Sequence, residues 1–194
     1  MWPLLIFSIA VLSITLERII FLSYHNLKTD DLKNKINEAY SLGNFKEITE
    51  YLDSLGKRKI GARVLSVILK NRNLGEQRIE KTAEAEAIKC INSLENGFNV
   101  LTSLGSISPL TGFLVTVTGM IDAFRSIAEA ENISAQIVAS GIYEALITTV
   151  FGLIIAIVAM VSHSYLSNRV DKFSSELEEY SNELINKIIT HENN

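Results

Sequence analysis

The chain has 194 residues, 47% hydrophobic and 21% charged, with 18 basic against 22 acidic side chains and a formal net charge of −4. A water-soluble domain of this size would mix the two classes, whereas here apolar blocks at 1–24, 98–121 and 137–162 alternate with charged stretches, which excludes a soluble globular fold. A single cysteine also excludes an intramolecular disulfide and a thiolate metal cage. His25, His163 and His191 match no ligand spacing, and the net charge averages over compartments, so no metal, cofactor or nucleic acid is expected.

Each block reaches the roughly 20 residues that a helix needs to cross a bilayer core, and only two prolines occur in the chain. The predicted fold class is an all-α membrane protein, with three transmembrane helices per subunit and long helices extending into the cytoplasm. The first span, 1–24, has no Lys or Arg before Arg18 and is too long for a secretory signal, so it reads as retained, with Trp2 and Tyr24 as interfacial anchors. Residues 25–97 are a charged insert of helices broken at glycine. "TDDLKNKINEAYSLGNFKEITEYLDSLGK" predicts two helices ending near Gly43 and Gly56, capped by Thr29 and Asn44. "GARVLSVILKN" predicts a third, too short to span. From Gln77 a proline-free run enters the second block, which predicts one long helix continuing into the second span, 98–124, with a kink at Pro109. A short loop, 125–136, leads to the third span, 137–162. In the tail, 163–194, Val170, Phe173, Leu177, Tyr180, Leu184 and Ile188 recur at intervals of three and four. That narrow apolar seam suits pairing with the chain's own cytoplasmic helices or, equally, with another subunit.

Orientation follows from the basic flanks. Lys28, Lys33 and Lys35 follow the first span, Lys89 precedes the second, and Arg169 and Lys172 follow the third. The connection between the second and third spans sets one Arg against Asp122, Glu129 and Glu131. The amino terminus and that connection are therefore expected outside, and the insert and carboxyl tail in the cytoplasm.

On the third span, Gly141, Ala145, Thr149, Gly152, Ala156 and Ala159 form a stripe of small residues on one helical face, which predicts close packing against another helix. Ile147, Phe151, Ile154 and Val158 make a bulky opposite surface that suits lipid. Glu144 lies off the stripe on the side of Thr148, roughly 10 Å into the span at 1.5 Å per residue. An intramembrane carboxylate costs roughly 2.5–3.5 kcal/mol even on insertion scales, and it normally faces a bundle interior or a water-filled cavity. The bland alternative is a protonated Glu144 bonded to a neighbouring helix. The second span is rich in hydroxyls. Thr102, Pro109 and Thr116 stand seven residues apart on one face, with Ser106 nearby. Each hydroxyl alone can bond its own i−4 carbonyl, but the row together with Thr149 predicts a polar track between the second and third helices. Three helices cannot both surround a pore and cover its polar face, so a homo-oligomer is expected.

"SISPLTGFLVTVTGMIDAF" followed by "SGIYEALITTVFGLIIAIVAM" resembles the two signature segments of the TolQ–ExbB–MotA proton-channel family, most closely its ExbB/TolQ branch. The resemblance extends over all three spans, the insert and the tail, and "LER" at Glu17 and Arg18 also matches a family feature. It implies a homopentamer in the bacterial inner membrane whose second and third spans line a pore. That pore would hold the single-span helices of a dimeric ExbD/TolR-like partner and energise a TonB-like or TolA-like protein. By motif match the pore threonines correspond to Thr116 and Thr149 and the intramembrane carboxylate to Glu144, with Thr102, Ser106 and Thr148 as supporting polar groups. Val115, Thr111, Thr118, Val158 and Ser164 stand where other residues are more usual in the family.

The chain then reads as an ion-conducting stator subunit that converts proton-motive force into mechanical work on an envelope partner, and two other readings stand beside it. A structural scaffold without an ion path would use its hydroxyls only to hold helices together and should tolerate Thr→Val. An intramembrane enzyme has no Ser/His/Asp triad, no second intramembrane carboxylate to pair with Glu144 and no metal cluster behind it. No enzymatic activity is expected.

Overall fold

The computed structural model describes residues 2–25, 27, 32, 34–36, 45–56, 59–129 and 135–192, and the regular structure among them is helical. The helices are α1 (Trp2–Tyr24), α2 (Phe45–Leu55), α3 (Ile60–Lys70), α4 (Glu76–Leu94), α5 (Phe98–Glu129) and α6 (Ala135–Glu192). α1, α5 and the stretch Ala139–Thr190 of α6 are each long and apolar enough to cross a membrane. Pro3 falls in the first turn of α1, where its missing N–H costs nothing. Gly56 follows α2, as the spacing predicts. The expected caps Thr29 and Asn44 and the stop at Gly43 lie outside the described residues.

The helix expected to run unbroken from Gln77 into the second span is two helices. α4 ends at Leu94, where the Glu95 N–H bonds the Ile91 carbonyl, and α5 starts at Phe98. Between them Gly97 has φ +86°, a left-handed conformation that no α-helix continues through and that glycine adopts at little cost. Pro109, by contrast, sits inside α5, which continues past it to Glu129. The third span and the tail form one helix of 58 residues.

The chain divides into two compact units, one of Met1–Glu17 with Gly97–Tyr165, the other of Arg18–Asn96 with Leu166–Asn194. In the first, Leu4 and Val11 of α1, Leu101 and Ser108 of α5, and Ala145, Ile155, Ala156 and Ala159 of α6 are buried. Phe151, Ile154 and Val158 are exposed on the other side of α6, the surface expected to meet lipid, whereas Ile147, expected with them, is half-buried.

In the second unit, Leu52, Val64, Leu65, Ile68, Leu69, Ile79, Cys90 and Leu94 form a core under α2, α3 and α4. Val170, Phe173, Leu177, Leu184 and Ile188 of the α6 seam are buried in that same unit, and Leu177 lines a groove with Ala83 and Glu80 of α4. At Leu177 the seam therefore lies against the chain's own α4. Asp53 of α2 ties down α3, accepting from Ser66 Oγ at 2.5 Å and from Lys70 Nζ at 2.8 Å. Arg63 of α3 bonds Glu86 of α4 at 2.6 Å. Arg18, nearly buried, donates to the Ser93 carbonyl at 3.2 Å near the end of α4, where helix carbonyls lack partners, and stacks 4.7 Å from the Phe21 ring.

Candidate functional site

The site is built on the close approach of α5 and α6. Gly105, Gly112 and Gly119 stand seven residues apart on α5 and face small residues of α6 in antiparallel order. A Cβ at Gly105 would lie 3.1 Å from Met160 Cγ and 3.5 Å from Ala159 Cβ, one at Gly112 2.9 Å from the Thr148 carbonyl oxygen, and one at Gly119 3.0 Å from Ala145 Cβ. From the other side, a Cβ at Gly152 would come within 2.6 Å of the Ser108 carbonyl oxygen. The two backbones therefore touch along the seam, as helices in lipid do where small residues face each other. Ala145, Ala156 and Ala159 are buried in it, and Gly141 faces Ala123 with 3.4 Å between their Cβ positions.

That approach brings Thr116 and Thr149 together. Their hydroxyls are hydrogen-bonded to each other across the seam. Thr116 also lies 2.8 Å from the Ala145 carbonyl oxygen and 3.1 Å from that of Gly112, and Thr149 lies 3.2 Å from the Gly112 carbonyl oxygen. Each hydroxyl has one proton and rotates freely. The pair therefore has two satisfied arrangements: Thr149 donating to Thr116 and Thr116 to Ala145, or Thr116 donating to Thr149 and Thr149 to Gly112.

Beside the pair, Glu144 and Asp122 line one cleft of about 570 Å³, with Thr148, Ser126, Gly119 and Ala145 also on its wall. Both carboxylates are exposed. Thr148 is 3% exposed and donates to the Ala145 carbonyl at 2.7 Å on its own helix. Asp122 is the acidic neighbour of Glu144 that a reading of the third span by itself does not supply. It comes from the end of α5, on the same wall as Gly119.

The remaining hydroxyls lie apart from the pair. Thr102 and Ser106 are exposed and bond the carbonyls of Phe98 and Thr102 at 3.2 and 3.0 Å. Thr116, expected on their face, is buried, because a heptad step on a straight helix drifts by about 20° and two steps carry it toward α6.

Residues 56–179 match the MotA/TolQ/ExbB proton channel family. The chain belongs to this family. Its sequence is 30% identical to the biopolymer transport protein exbB1 of Vibrio cholerae, over 91% of this chain and 78% of that protein. It is 29% identical to an ExbB homolog of Methanothermobacter thermautotrophicus, over 84% of this chain and 57% of the relative. It is 41% identical to the Tol-Pal system protein TolQ of Haemophilus influenzae, over 44% of this chain and 38% of that protein. The chain thus spans little more than half of the archaeal relative. It is a membrane protein of a proton-channel family.

Within this family member, residue-by-residue reading of the sequence missed Ser108, Gly112 and Asp122. Ser108 is fully buried and its hydroxyl donates to Leu104 at 2.6 Å. The signal for Gly112 was present in the heptad of glycines at 105, 112 and 119, which marks α5 as the surface that receives the small stripe of α6.

Proposed function

We propose that this chain is the pore-forming stator subunit of a proton-driven machine in the bacterial inner membrane, with its amino terminus in the periplasm and its insert and tail in the cytoplasm. In this reading it assembles as a homo-oligomer, a pentamer by its family. α5 and α6 face a central pore that takes the single-span helices of a dimeric ExbD/TolR-like partner. Proton flow energises a TonB-like or TolA-like protein and thereby an envelope process such as uptake across the outer membrane. The chain catalyses no covalent reaction.

The observation that carries the reading is the Thr116–Thr149 pair. Two hydroxyls with an acceptor carbonyl behind each form the shortest chain along which donor direction reverses without any atom losing its partner. A proton or a partner carboxyl arriving at one end turns both over together. The acidic cleft next to it, with Glu144 and Asp122, raises the local concentration of cations at its mouth.

The scaffold reading has its own support, since Thr116, Thr148 and Thr149 are all satisfied within the chain. Isosteric replacement separates the two. Thr116→Val and Thr149→Val keep shape and remove the O–H. With the chain and its partner in proteoliposomes, a conducting subunit loses most of its partner-dependent proton flux in either variant. Flux equal to that of the unmodified chain in both variants overturns the channel assignment of the pair.

A further inference from the structure

Neither Glu144 nor Asp122 makes a side-chain hydrogen bond or ion pair among the described residues, although both stand on helices long and apolar enough to cross a membrane. A carboxylate within a span is normally paired, and Glu144 falls inside the third span as the sequence sets it out. Their cleft is floored by Gly119, Ala123, Gly141 and Ala145, so another helix can approach its mouth closely.

Arg125 is the only Lys or Arg between Lys89 and Arg169. Its side chain is 73% exposed and has Glu129 at 3.9 Å, itself 75% exposed, a loose surface pair. Three residues beyond Asp122 on α5, it stands on the flank of the helix and is not part of the cleft wall. The outer end of this subunit therefore carries an acidic cleft on one side and a lone guanidinium on another. The two are complementary in charge but are different patches. A contact between different patches of identical chains is heterologous, and it closes into a ring when the rotation allows.

We propose that Arg125 of one copy enters the Asp122–Glu144 cleft of the next copy, forming the outer ion pair between neighbouring subunits. The inference rests on the homo-oligomer reading and names the residues that make its outer contact. A guanidinium has five donors in a planar fork and satisfies two carboxylates at once. One guanidinium against two carboxylates leaves the cleft with a net negative charge, so it still draws cations to its mouth.

The test uses the full-length chain with Cys90→Ser as background. Two differently tagged forms, Arg125→Cys and Glu144→Cys, are expressed together and treated in native membranes with a bismaleimide spanning about 10 Å, since the Cα atoms of an Arg–carboxylate pair stand too far apart for a direct disulfide, and the native mass of the unmodified complex is measured in detergent. The expected result is an oligomeric mass and about tenfold more mixed crosslinked dimer than either variant gives alone, because a heterologous contact does not bring two copies of one residue together. Pairing Arg125→Cys with Ile154→Cys, which lies on the exposed apolar face of α6, should give no dimer. An oligomeric mass without the mixed dimer, or with equal dimer from a single variant, overturns the ion pair and leaves the oligomer standing. A monomeric mass overturns both.

Discussion

Thr116 and Thr149 are hydrogen-bonded side chain to side chain across the α5–α6 seam, and each has a backbone carbonyl of the opposing helix as a further acceptor. Their structural and functional contributions differ in size. Interhelical polar contacts in membranes average only about 0.6 kcal/mol, so Thr149→Val should lower the unfolding midpoint of the solubilised chain slightly. Thr149→Ser keeps the O–H while removing the methyl and should retain flux. A serine variant as inactive as valine would locate the requirement in shape and not in hydrogen bonding.

Gly152 and Gly112 set the distance at which that pair forms. A methyl at Gly152 would lie 2.6 Å from the Ser108 carbonyl oxygen, and one at Gly112 2.9 Å from the Thr148 carbonyl oxygen and 3.0 Å from Thr149 Cα. Backbone atoms on a packed helix cannot swing aside, so the helices must part. Gly152→Ala and Gly112→Ala should each destabilise by about 1–3 kcal/mol, the usual range for overpacking, and should separate the threonines. Gly75→Ala is the matched control. A Cβ there meets nothing within 4 Å, so its cost should be only that of alanine replacing glycine at the N-cap of α4, about 0.5–1 kcal/mol. Thermal unfolding in detergent reads all three variants.

Gly97 is where one expected helix becomes two. Its φ of +86° disfavours any side chain, and a Cβ would also sit 3.3 Å from Ile14 Cγ2. Gly97→Ala should cost about 1–2 kcal/mol from handedness. Gly97→Asn should cost less, since Asn tolerates that region. Equal behaviour of the two variants in a thermal unfolding series would mean that crowding by Ile14, and not the backbone, governs the site.

The break at Gly97 also shows what the sequence makes legible. The spans stand out because apolar length is a property of the sequence alone, and the α6 seam and small stripe stand out because a straight helix preserves their period. Gly97 escapes because a glycine preceded by a uniformly helical composition announces its dihedral angle only in the folded chain. Asp122 escapes for a different reason. It is 22 residues from Glu144, and only the antiparallel register set by Gly119 against Ala145 places the two on one cleft. The Thr116–Thr149 pair is half legible: each residue is suggested by its polarity, but their contact depends on Gly112 and Gly152.

Cys90 is the chain's single thiol and is buried. Burial pushes its pKa up, with Arg63 opposing and Glu86 adding to the rise. The thiolate is the nucleophile, so maleimide labelling of the folded chain near neutral pH should be slow and should accelerate sharply once denaturant opens α3 and α4. Arg63→Leu removes the opposing charge and should slow labelling further in the folded state. Fast labelling of the native chain would show that this part of the core opens readily.

Asp53 sets an acid limit on the second unit. The hydrogen bonds from Lys70 and then Ser66 hold its carboxyl below the ordinary value of 3.8, against a smaller opposing effect of burial. A group whose folded pKa is depressed contributes stability above its unfolded pKa, and that contribution fades as pH falls through the folded value. The α2–α3 clasp is therefore fully present at neutral pH and is lost progressively below about pH 4. Both side chains of the Lys70–Asp53 pair are about half exposed, so the effect is modest and weakens with salt. Asp53→Asn should lower the unfolding midpoint near pH 7 and converge with the unmodified chain as pH approaches 3. Lys70→Met should converge over the same range, because it removes the main cause of the depressed pKa. A constant gap between Asp53→Asn and the unmodified chain from pH 7 to pH 3 would show that the clasp contributes through packing and not through the carboxylate.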